Sequence, residues 1–173
     1  MIDFDIRIDP KSLINFNRKM GLYKQGLETY SEKALQQNAE QYYEIIISRM
    51  GEYGGGEMIF GDVYWKELSP MWLAEKRKQG LVEEIWEATG EIKGAIRIFD
   101  VEKRPDELAI FVGLKNVSPN ILEKAMRNEF GLGIPERALF EPAKREMVYN
   151  PAEKARRIEA FKIASKFALG MVK

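Results

Sequence analysis

The side chains that could take part in catalysis are few, and the clearest group is a set of glutamates. Glu83 and Glu87 are four residues apart in Leu81 to Ala88, which we predict to be a short helix, so both carboxylates would share a face. With Glu91, they could bind Mg²⁺ or serve in acid–base catalysis. Like charges on a helix are commonly just a solvated face, and this is the favoured interpretation.

The composition excludes several common kinds of catalytic and metal-binding site. The sequence contains neither cysteine nor histidine. It therefore provides no disulfide, thiolate nucleophile, cysteine–histidine zinc site or Ser-His-Asp triad. Lys+Arg and Asp+Glu are equal at 27 each, so no overall basic field points to nucleic acid. We expect no catalytic residue, no cofactor and no metal site.

Two short segments could bind phosphate groups. Gly51 to Gly56, GEYGGG, is rich in glycine, but no Gly-Lys-Ser/Thr follows it, so we predict a flexible linker. Lys154, Arg156 and Arg157 form a local basic run that could bind DNA. A solvated helix face is the default interpretation of this run. An Mg²⁺-dependent enzyme and a DNA-binding accessory protein remain the two alternatives to a structural role.

The first fifty residues predict a strand and two helical segments. Apolar residues alternate with charged ones over residues 2–8, the pattern of a strand with one exposed face. Asp9-Pro10 then predicts the start of a helix, and Gly21 and Gly26 predict a break or hinge in it. Apolar spacing predicts a helix from Leu27 to Met50, which would be about 36 Å long.

The middle of the chain predicts a short helix and a hairpin. Ser69-Pro70 predicts a capped helix that runs to Lys78, with Trp65 and Trp72 on either side of its start. These tryptophans are more typical of a core than of a ligand platform or a partner anchor. Two β-rich runs then predict a hairpin that joins the N-terminal strand in one small sheet: Ala95–Phe99 and Leu108–Val112, with the charged turn Glu102–Asp106 between them.

A second capped helix is predicted after the hairpin. Ser118 can cap its first N–H groups, and Pro119 suits its first position. Gly131 and Gly133 can adopt the positive φ that ends such a helix. Four apolar residues recur along it at helical spacing: Ile121, Leu122, Met126 and Phe130.

A corner follows this helix and contains no reactive group. Pro135 and Arg137 would set the direction of the chain, and Leu139 and Phe140 would fix the next helix to the core. Pro142 can open that helix. We therefore predict that this stretch has an architectural role.

The last segment predicts an additional helix. Asn150-Pro151-Ala152-Glu153 has the pattern of a capping box, and Gly170 can end the helix. We predict an α+β fold in which a small antiparallel or mixed sheet (the N-terminal strand and the central hairpin) packs against a long N-terminal helix and several shorter helices. The predicted domains are residues 1–149 and a C-terminal helical extension at 150–173.

The order of these motifs resembles a known family. A Trp-x-x-Leu-Ser-Pro segment precedes a lysine-bearing helix at Trp65–Lys76, and a Thr-Gly-x-Ile step follows at Thr89–Ile92. A Val-Gly turn lies at Val112–Gly113. A Glu-Phe-Gly ending at Glu129–Gly131 precedes an Ile-Pro-x-Arg-x-Leu-Phe corner at Ile134–Phe140. Together these motifs resemble the virion-morphogenesis and tail-completion proteins of tailed bacteriophages, a group that includes the Mu-like G protein and lambdoid head–tail joining proteins. The resemblance covers Trp65 to Met147, and more loosely the opening strand and long helix.

The resemblance implies a non-enzymatic subunit of the virion neck. It implies a ring of copies, a hexamer, between the head connector or head-closure protein and the tail-tube or tail-terminator protein, with DNA passing through the lumen without sequence readout. The C-terminal helix and the Gly51–Gly56 loop depart from the family pattern. We expect seven residues to have structural or interaction roles: Trp65, Trp72, Phe130, Pro135, Arg137, Leu139 and Phe140.

The hydropathy pattern predicts the location of the protein. The opening MIDFDIRID lacks the apolar run of a signal peptide. No stretch reaches the roughly 18 apolar residues of a membrane span. We therefore expect no membrane partner and folding in a cytoplasm. The resemblance implies that this is the cytoplasm of a bacterial host and that the final position is the head–tail interface of the virion.

Overall fold

Helix α1, Pro10–Arg49, is the longest element of the fold. The computed structural model describes residues 10–50, 56–59, 63–86, 89–105 and 107–170. The predicted strand at 2–8 and most of the predicted linker at 51–56 lie outside these ranges. The predicted break at Gly21 and Gly26 is wrong, because one helix runs through both positions. Each glycine costs only about 1 kcal/mol relative to alanine, which the continuing hydrogen bonds and the packing of the second half of α1 offset.

The remaining elements are short except for the last helix. In chain order they are β1 Glu57–Ile59, β2 Val63–Trp65, α2 Pro70–Lys78, α3 Glu91–Ala95, β3 Arg97–Ile98, β4 Glu102–Arg104, β5 Glu107–Ala109, β6 Val112–Gly113, α4 Pro119–Phe130, α5 Phe140–Tyr149 and α6 Pro151–Gly170. The predicted α+β class is confirmed. The described strands form three two-stranded antiparallel ladders.

The predicted central hairpin is present, with a tighter turn than expected. Strand β3 pairs with β6, and β4 pairs with β5 in the same antiparallel sense. Phe99 N–H donates to the Phe111 carbonyl at 2.9 Å between the two ladders. Most of the predicted turn Glu102–Asp106 is therefore strand, and Ala95, predicted as strand, ends α3. The β1–β2 ladder precedes the hairpin and was not predicted.

The predicted helix at Leu81–Ala88 is wrong over the described residues 81–86. The cause is the buried ammonium group of Lys76, which donates to the carbonyls of Val82 and Glu84, each at 2.8 Å. Those carbonyls point to Lys76 instead of along a helix axis. Trp86 ends the segment with a φ of 70°, outside the helical region.

Helix α6 lies antiparallel along α1. Tyr30 stacks on Phe167 with ring centroids 5.2 Å apart, and Arg156 forms an ion pair with Glu44 at 3.1 Å. The Asn150 side chain caps α6 by accepting from Ala152 N–H at 2.9 Å. The predicted capping box is wrong, because the Glu153 carboxylate accepts from Gln41 of α1 instead. The predicted domain boundary at residue 150 stays a prediction.

The core lies at the C-terminal end of α1. Ile46 of α1 and Met50, which follows α1, meet buried residues from the β1–β2 ladder, the segment after α2, α3, α4 and the start of α5. The largest fully buried side chains include Trp65, Ile85 and Leu139. The core therefore holds one end of α1 and leaves the other end distant from the packed domain.

Candidate interaction surfaces

Arg137 connects the corner after α4 to two other parts of the core. Its guanidinium is buried and donates to the carbonyls of Lys66 and Glu67, at 3.1 and 3.4 Å. Its own N–H donates to the Asn128 carbonyl of α4 at 2.7 Å. Burial lowers the pKa of Arg137 from its ordinary value. The Arg137 side chain therefore fixes the corner against the residues that follow β2, and it places a positive charge in the protein interior.

Two indole groups hold the next stretch of the corner. Trp86 Nε1 donates to the Arg137 carbonyl, and Trp65 Nε1 donates to the Ala138 carbonyl, both at 2.9 Å. Leu139 follows and is fully buried. Phe140 packs edge-on against Trp86, with centroids 5.9 Å apart. The arrangement agrees with the architectural role predicted for this corner.

Glu129 is a key residue that the sequence pattern did not identify. Its buried carboxylate accepts from the N–H groups of Leu139, Phe140 and Glu141, at 2.8, 3.2 and 3.3 Å. These are the first free donors of α5, whose own N-cap residue Leu139 provides no side-chain cap. Glu129 thus caps α5 from the end of α4, ten residues earlier. Only knowledge of the corner geometry could have revealed this cap.

A cleft of about 990 Å³ lies beside the corner. Its apolar wall includes Tyr64, Trp72, Trp86, Ile134 and Pro135. Five cationic side chains and two carboxylates also line it, which gives it an excess of positive charge: Lys66, Lys76, Lys124, Arg127 and Arg137, against Glu67 and Glu91. The sequence analysis did not predict this cleft, because its walls come from four separate segments.

The cations of the cleft differ in how they are neutralised. Lys124 and Arg127 form surface ion pairs with Glu91 and Glu123, at 2.8 and 2.7 Å. Lys76 is buried, and this burial lowers the pKa of its ammonium group, an effect that the nearby Glu84 carboxylate opposes. Arg137 has only backbone carbonyls as hydrogen-bond acceptors among the described residues. The cleft therefore combines buried positive charge with an aromatic wall.

Helix α4 presents an apolar stripe to solvent on a side away from the cleft. Leu122, Met126 and Phe130 are spaced four residues apart and are 44%, 42% and 64% exposed. The face that α4 buries instead carries Ala125 and Glu129. We call these three exposed residues the α4 stripe. It includes Phe130, one of the seven predicted residues.

The first part of α1 is a second exposed apolar surface. Residues 11–25 are exposed except for half-buried Tyr23. Within them Leu13, Ile14, Phe16 and Met20 are between 48% and 67% exposed. Among the described residues, α6 ends at Gly170, and Phe167 lies against Tyr30 of α1. We call residues 10–25 the projecting segment, which is about 24 Å long at 1.5 Å per residue.

The structure brings the seven predicted residues into three locations. Trp65, Leu139 and half-buried Phe140 belong to the core or pack against it. Trp72, Pro135 and Arg137 line the cleft, where Trp72 and Pro135 are exposed. The predicted core position is therefore wrong for Trp72, because its ring lies at the surface of the cleft. Phe130 lies on the α4 stripe. Their proposed roles in contacts with other proteins stay predictions.

The alternative catalytic and DNA-binding groups are dispersed. Glu83 pairs with Arg77 at 2.7 Å, and Lys124 donates to Glu91, so both carboxylates have lowered pKa values. Glu87 lies outside the described residues. Arg156 of the basic run is paired with Glu44.

The described residues lack two further kinds of feature. No group of three or more acidic side chains there is arranged to hold a metal ion. None of the helices described is long and apolar enough to cross a membrane.

Comparisons with known proteins were made with both the sequence and the structure. No protein-family model, no curated protein and no solved structure matches this chain.

Proposed function

We propose that this chain is a structural subunit of a tailed-bacteriophage virion that forms a ring at the head–tail interface. It would join the head connector or head-closure protein to the tail-tube or tail-terminator protein, without enzymatic activity. The proposal combines the motif order described above with one structural observation. The α4 stripe and the projecting segment are two different apolar surfaces, and each is exposed in the single chain.

Two different surfaces on one chain suit a ring. A cyclic assembly with more than two copies uses a head-to-tail contact, in which one surface of each copy meets a different surface of the next. Contiguous exposed apolar residues are often part of such contacts. The projecting segment would extend from one subunit onto its neighbour, and the α4 stripe would be covered in the same assembly.

The charge balance also supports close packing of identical copies. Lys+Arg and Asp+Glu are equal in number, so copies have no net charge to oppose their association. An equal balance also suits a ring through which DNA passes without being read. A lumen of this kind requires no base-specific contacts.

Light scattering after size-exclusion chromatography tests the proposal, with negative-stain images of any assembled species. The protein is measured alone and in mixtures with a phage connector protein and a tail-tube protein. We expect a ring, a hexamer by the family's example, in at least one of these mixtures. A monomer in all of them, up to high concentration, would contradict the proposal.

A matched pair of variants tests whether the α4 stripe takes part. The triple variant Leu122→Ser, Met126→Ser, Phe130→Ser should fold normally and lose assembly. The control triple variant is Met71→Ser, Val82→Ser, Tyr149→Ser, whose residues are comparably exposed and lie outside both surfaces and the cleft. Equal loss of assembly in both variants would remove the α4 stripe from the proposal.

A further inference from the structure

We propose that residues 1–9 of one copy, the N-terminal arm, bind in the cleft of a neighbouring copy. The inference rests on the proposed self-assembly and names the contact that would connect successive subunits. It depends on three features: the chemistry of the cleft, the sequence of the arm and the length of α1.

The cleft and the arm have complementary chemistry. The arm, MIDFDIRID, contains three aspartates and one arginine, and these charged residues alternate with Ile2, Phe4, Ile6 and Ile8. In an extended segment, alternate side chains point to opposite sides. The apolar side would contact the aromatic wall of Trp72, Tyr64 and Trp86, and Asp3 and Asp5 would face the cleft cations. The cleft volume, about 990 Å³, lies near the upper end of ligand pockets and accommodates several side chains.

The buried cations favour the binding of carboxylates in the cleft. Arg137 and Lys76 are buried cations among the residues that line the cleft, and their N–H groups donate to backbone carbonyls. Lys66 is exposed at the edge of the cleft. An incoming carboxylate would interact with these charges in a partly desolvated site, where electrostatic attraction is stronger than in water.

The length of α1 excludes the arm from the cleft of its own chain. Ile46 lies in the core cluster that also contains the cleft residues Leu68, Ile85 and Trp86. From residue 10 to Ile46 the helix rises about 54 Å at 1.5 Å per residue. Nine extended residues reach at most about 31 Å. The arm therefore stops well short of its own cleft, and the nearest cleft within its reach belongs to another copy.

The arm and the cleft lie at opposite ends of the molecule, so each copy can give its arm to one neighbour and receive an arm from another, which is a head-to-tail contact. Two copies that exchange arms about a two-fold axis would form a closed dimer instead, and the mass of the assembly distinguishes that dimer from the head-to-tail contact. The head-to-tail contact closes into a ring if the rotation between copies allows closure.

A binding measurement tests the contact without requiring assembly. A synthetic peptide of residues 1–9, labelled at its C-terminal end, is titrated by fluorescence anisotropy with full-length protein at a concentration where the protein is monomeric. We expect saturable binding that weakens at high salt. The variant Lys66→Glu, Arg127→Glu should bind at least about tenfold more weakly, because two attractions become repulsions. The control Lys78→Glu, Lys154→Glu, whose residues are exposed outside the cleft, should bind like the wild type.

A charge exchange tests the contact within the assembly. One variant carries Asp3→Lys and Asp5→Lys in the arm, and the other carries Lys66→Glu and Arg127→Glu in the cleft. Each alone should fail to assemble, because its arm and cleft have the same charge. Their mixture should assemble, because the altered arm fits the altered cleft and the two unaltered surfaces also fit. Mixing does not change the fold of either variant. Restored assembly would therefore show that each variant had failed to assemble alone because of its charges, and not because it was misfolded.

The outcomes separate this inference from the proposed function. No peptide binding, or equal binding by the cleft and control variants, would overturn the inference. Binding of inorganic phosphate without any peptide binding would overturn it too, in favour of a simple anion site. Normal assembly of the arm variant alone and of the cleft variant alone would contradict the inference, but it would not contradict the proposed ring. A wild-type protein that binds the peptide in the cleft and stays monomeric with every neck partner would support the contact and contradict the ring.

Discussion

The indole Nε1 of Trp86 donates a 2.9 Å hydrogen bond to the backbone carbonyl of Arg137, 51 positions further along the chain. Trp86 has a positive φ, and Arg137 has a buried guanidinium. The bond thus joins two positions that are each held in an energetically costly state. A residue with φ of this sign is maintained only where surrounding contacts determine it.

Removing this hydrogen bond should destabilise the fold. Trp86→Phe retains an aromatic ring but leaves the buried Arg137 carbonyl without the indole donor. We expect a loss of about 1–3 kcal/mol in the free energy of unfolding, measured by urea denaturation. Trp72→Phe, at an exposed position, should change it by less than about 0.5 kcal/mol. Equal effects of the two substitutions would mean that the bond contributes little.

The cap that Glu129 provides for α5 can be tested by a nearly isosteric change. Glu129→Gln removes the negative charge near the N-terminus of α5 and replaces one acceptor oxygen with a donor. We expect a loss of about 1–2 kcal/mol in unfolding free energy, with reduced protection of the Leu139, Phe140 and Glu141 amides in hydrogen exchange. The exposed Glu123→Gln serves as the control. Unchanged protection of those amides would show that the carboxylate is not needed.

The corner can be tested at two positions with different expected magnitudes. Phe140→Ala should cost about 2–4 kcal/mol, somewhat below a full core deletion because the ring is half-buried. Pro135→Gly, at an exposed position, should cost about 0.5–1 kcal/mol by adding freedom to the unfolded chain. Neither should abolish any chemistry. Thermal and urea unfolding measure the stability of both variants. Normal stability together with normal assembly in both would contradict the architectural role of the corner.

Tyr42 gives a pH-dependent prediction. Burial and the nearby Glu129 and Glu141 carboxylates raise its pKa to about 12, and its hydroxyl donates to the Phe140 carbonyl at 2.8 Å. An ordinary tyrosine in the unfolded chain titrates near pH 10. The folded state therefore retains this proton longer, and its contribution to stability is complete below pH 10 and is lost between pH 10 and 12.

The comparison with Tyr42→Phe isolates this contribution. Between pH 10 and 12 the unfolding free energy of the wild type should fall more steeply than that of the variant, as measured by urea denaturation at each pH. Ultraviolet titration should also assign the late-ionising phenol to Tyr42. Parallel curves for the two proteins over this range would contradict the assignment.

Sequence patterns succeeded where the determining contacts are local. Helices α2 and α4 begin and end where Ser69-Pro70, Ser118-Pro119 and Gly131 predict, because a cap or stop acts within one turn. They failed where distant residues decide. Lys76 removes carbonyls from the helix predicted after Gly80, and no pattern near Leu139 reveals that Glu129 caps it.

The same limit applies to the candidate surfaces. Phe130 was predicted from helical spacing, but spacing alone could not show that it faces solvent while Ala125 and Glu129 face the core. The cleft was not predicted, because it requires segments that are far apart in sequence to meet. Local patterns thus predict individual helices and strands, whereas the candidate surfaces depend on how these elements pack together.

The projecting segment divides α1 into two parts of unequal stability. An isolated helix of about 16 residues is marginal in water, and this one contains Gly21. In a free subunit, the amides of residues 10–25 should therefore exchange with solvent many times faster than those near Ile46, within one continuous helix. Contact with a neighbour would slow them. Assembly would then complete the ordering of residues 10–25. Free subunits would carry a mobile helix end, and this end would become ordered each time a subunit joins the proposed ring.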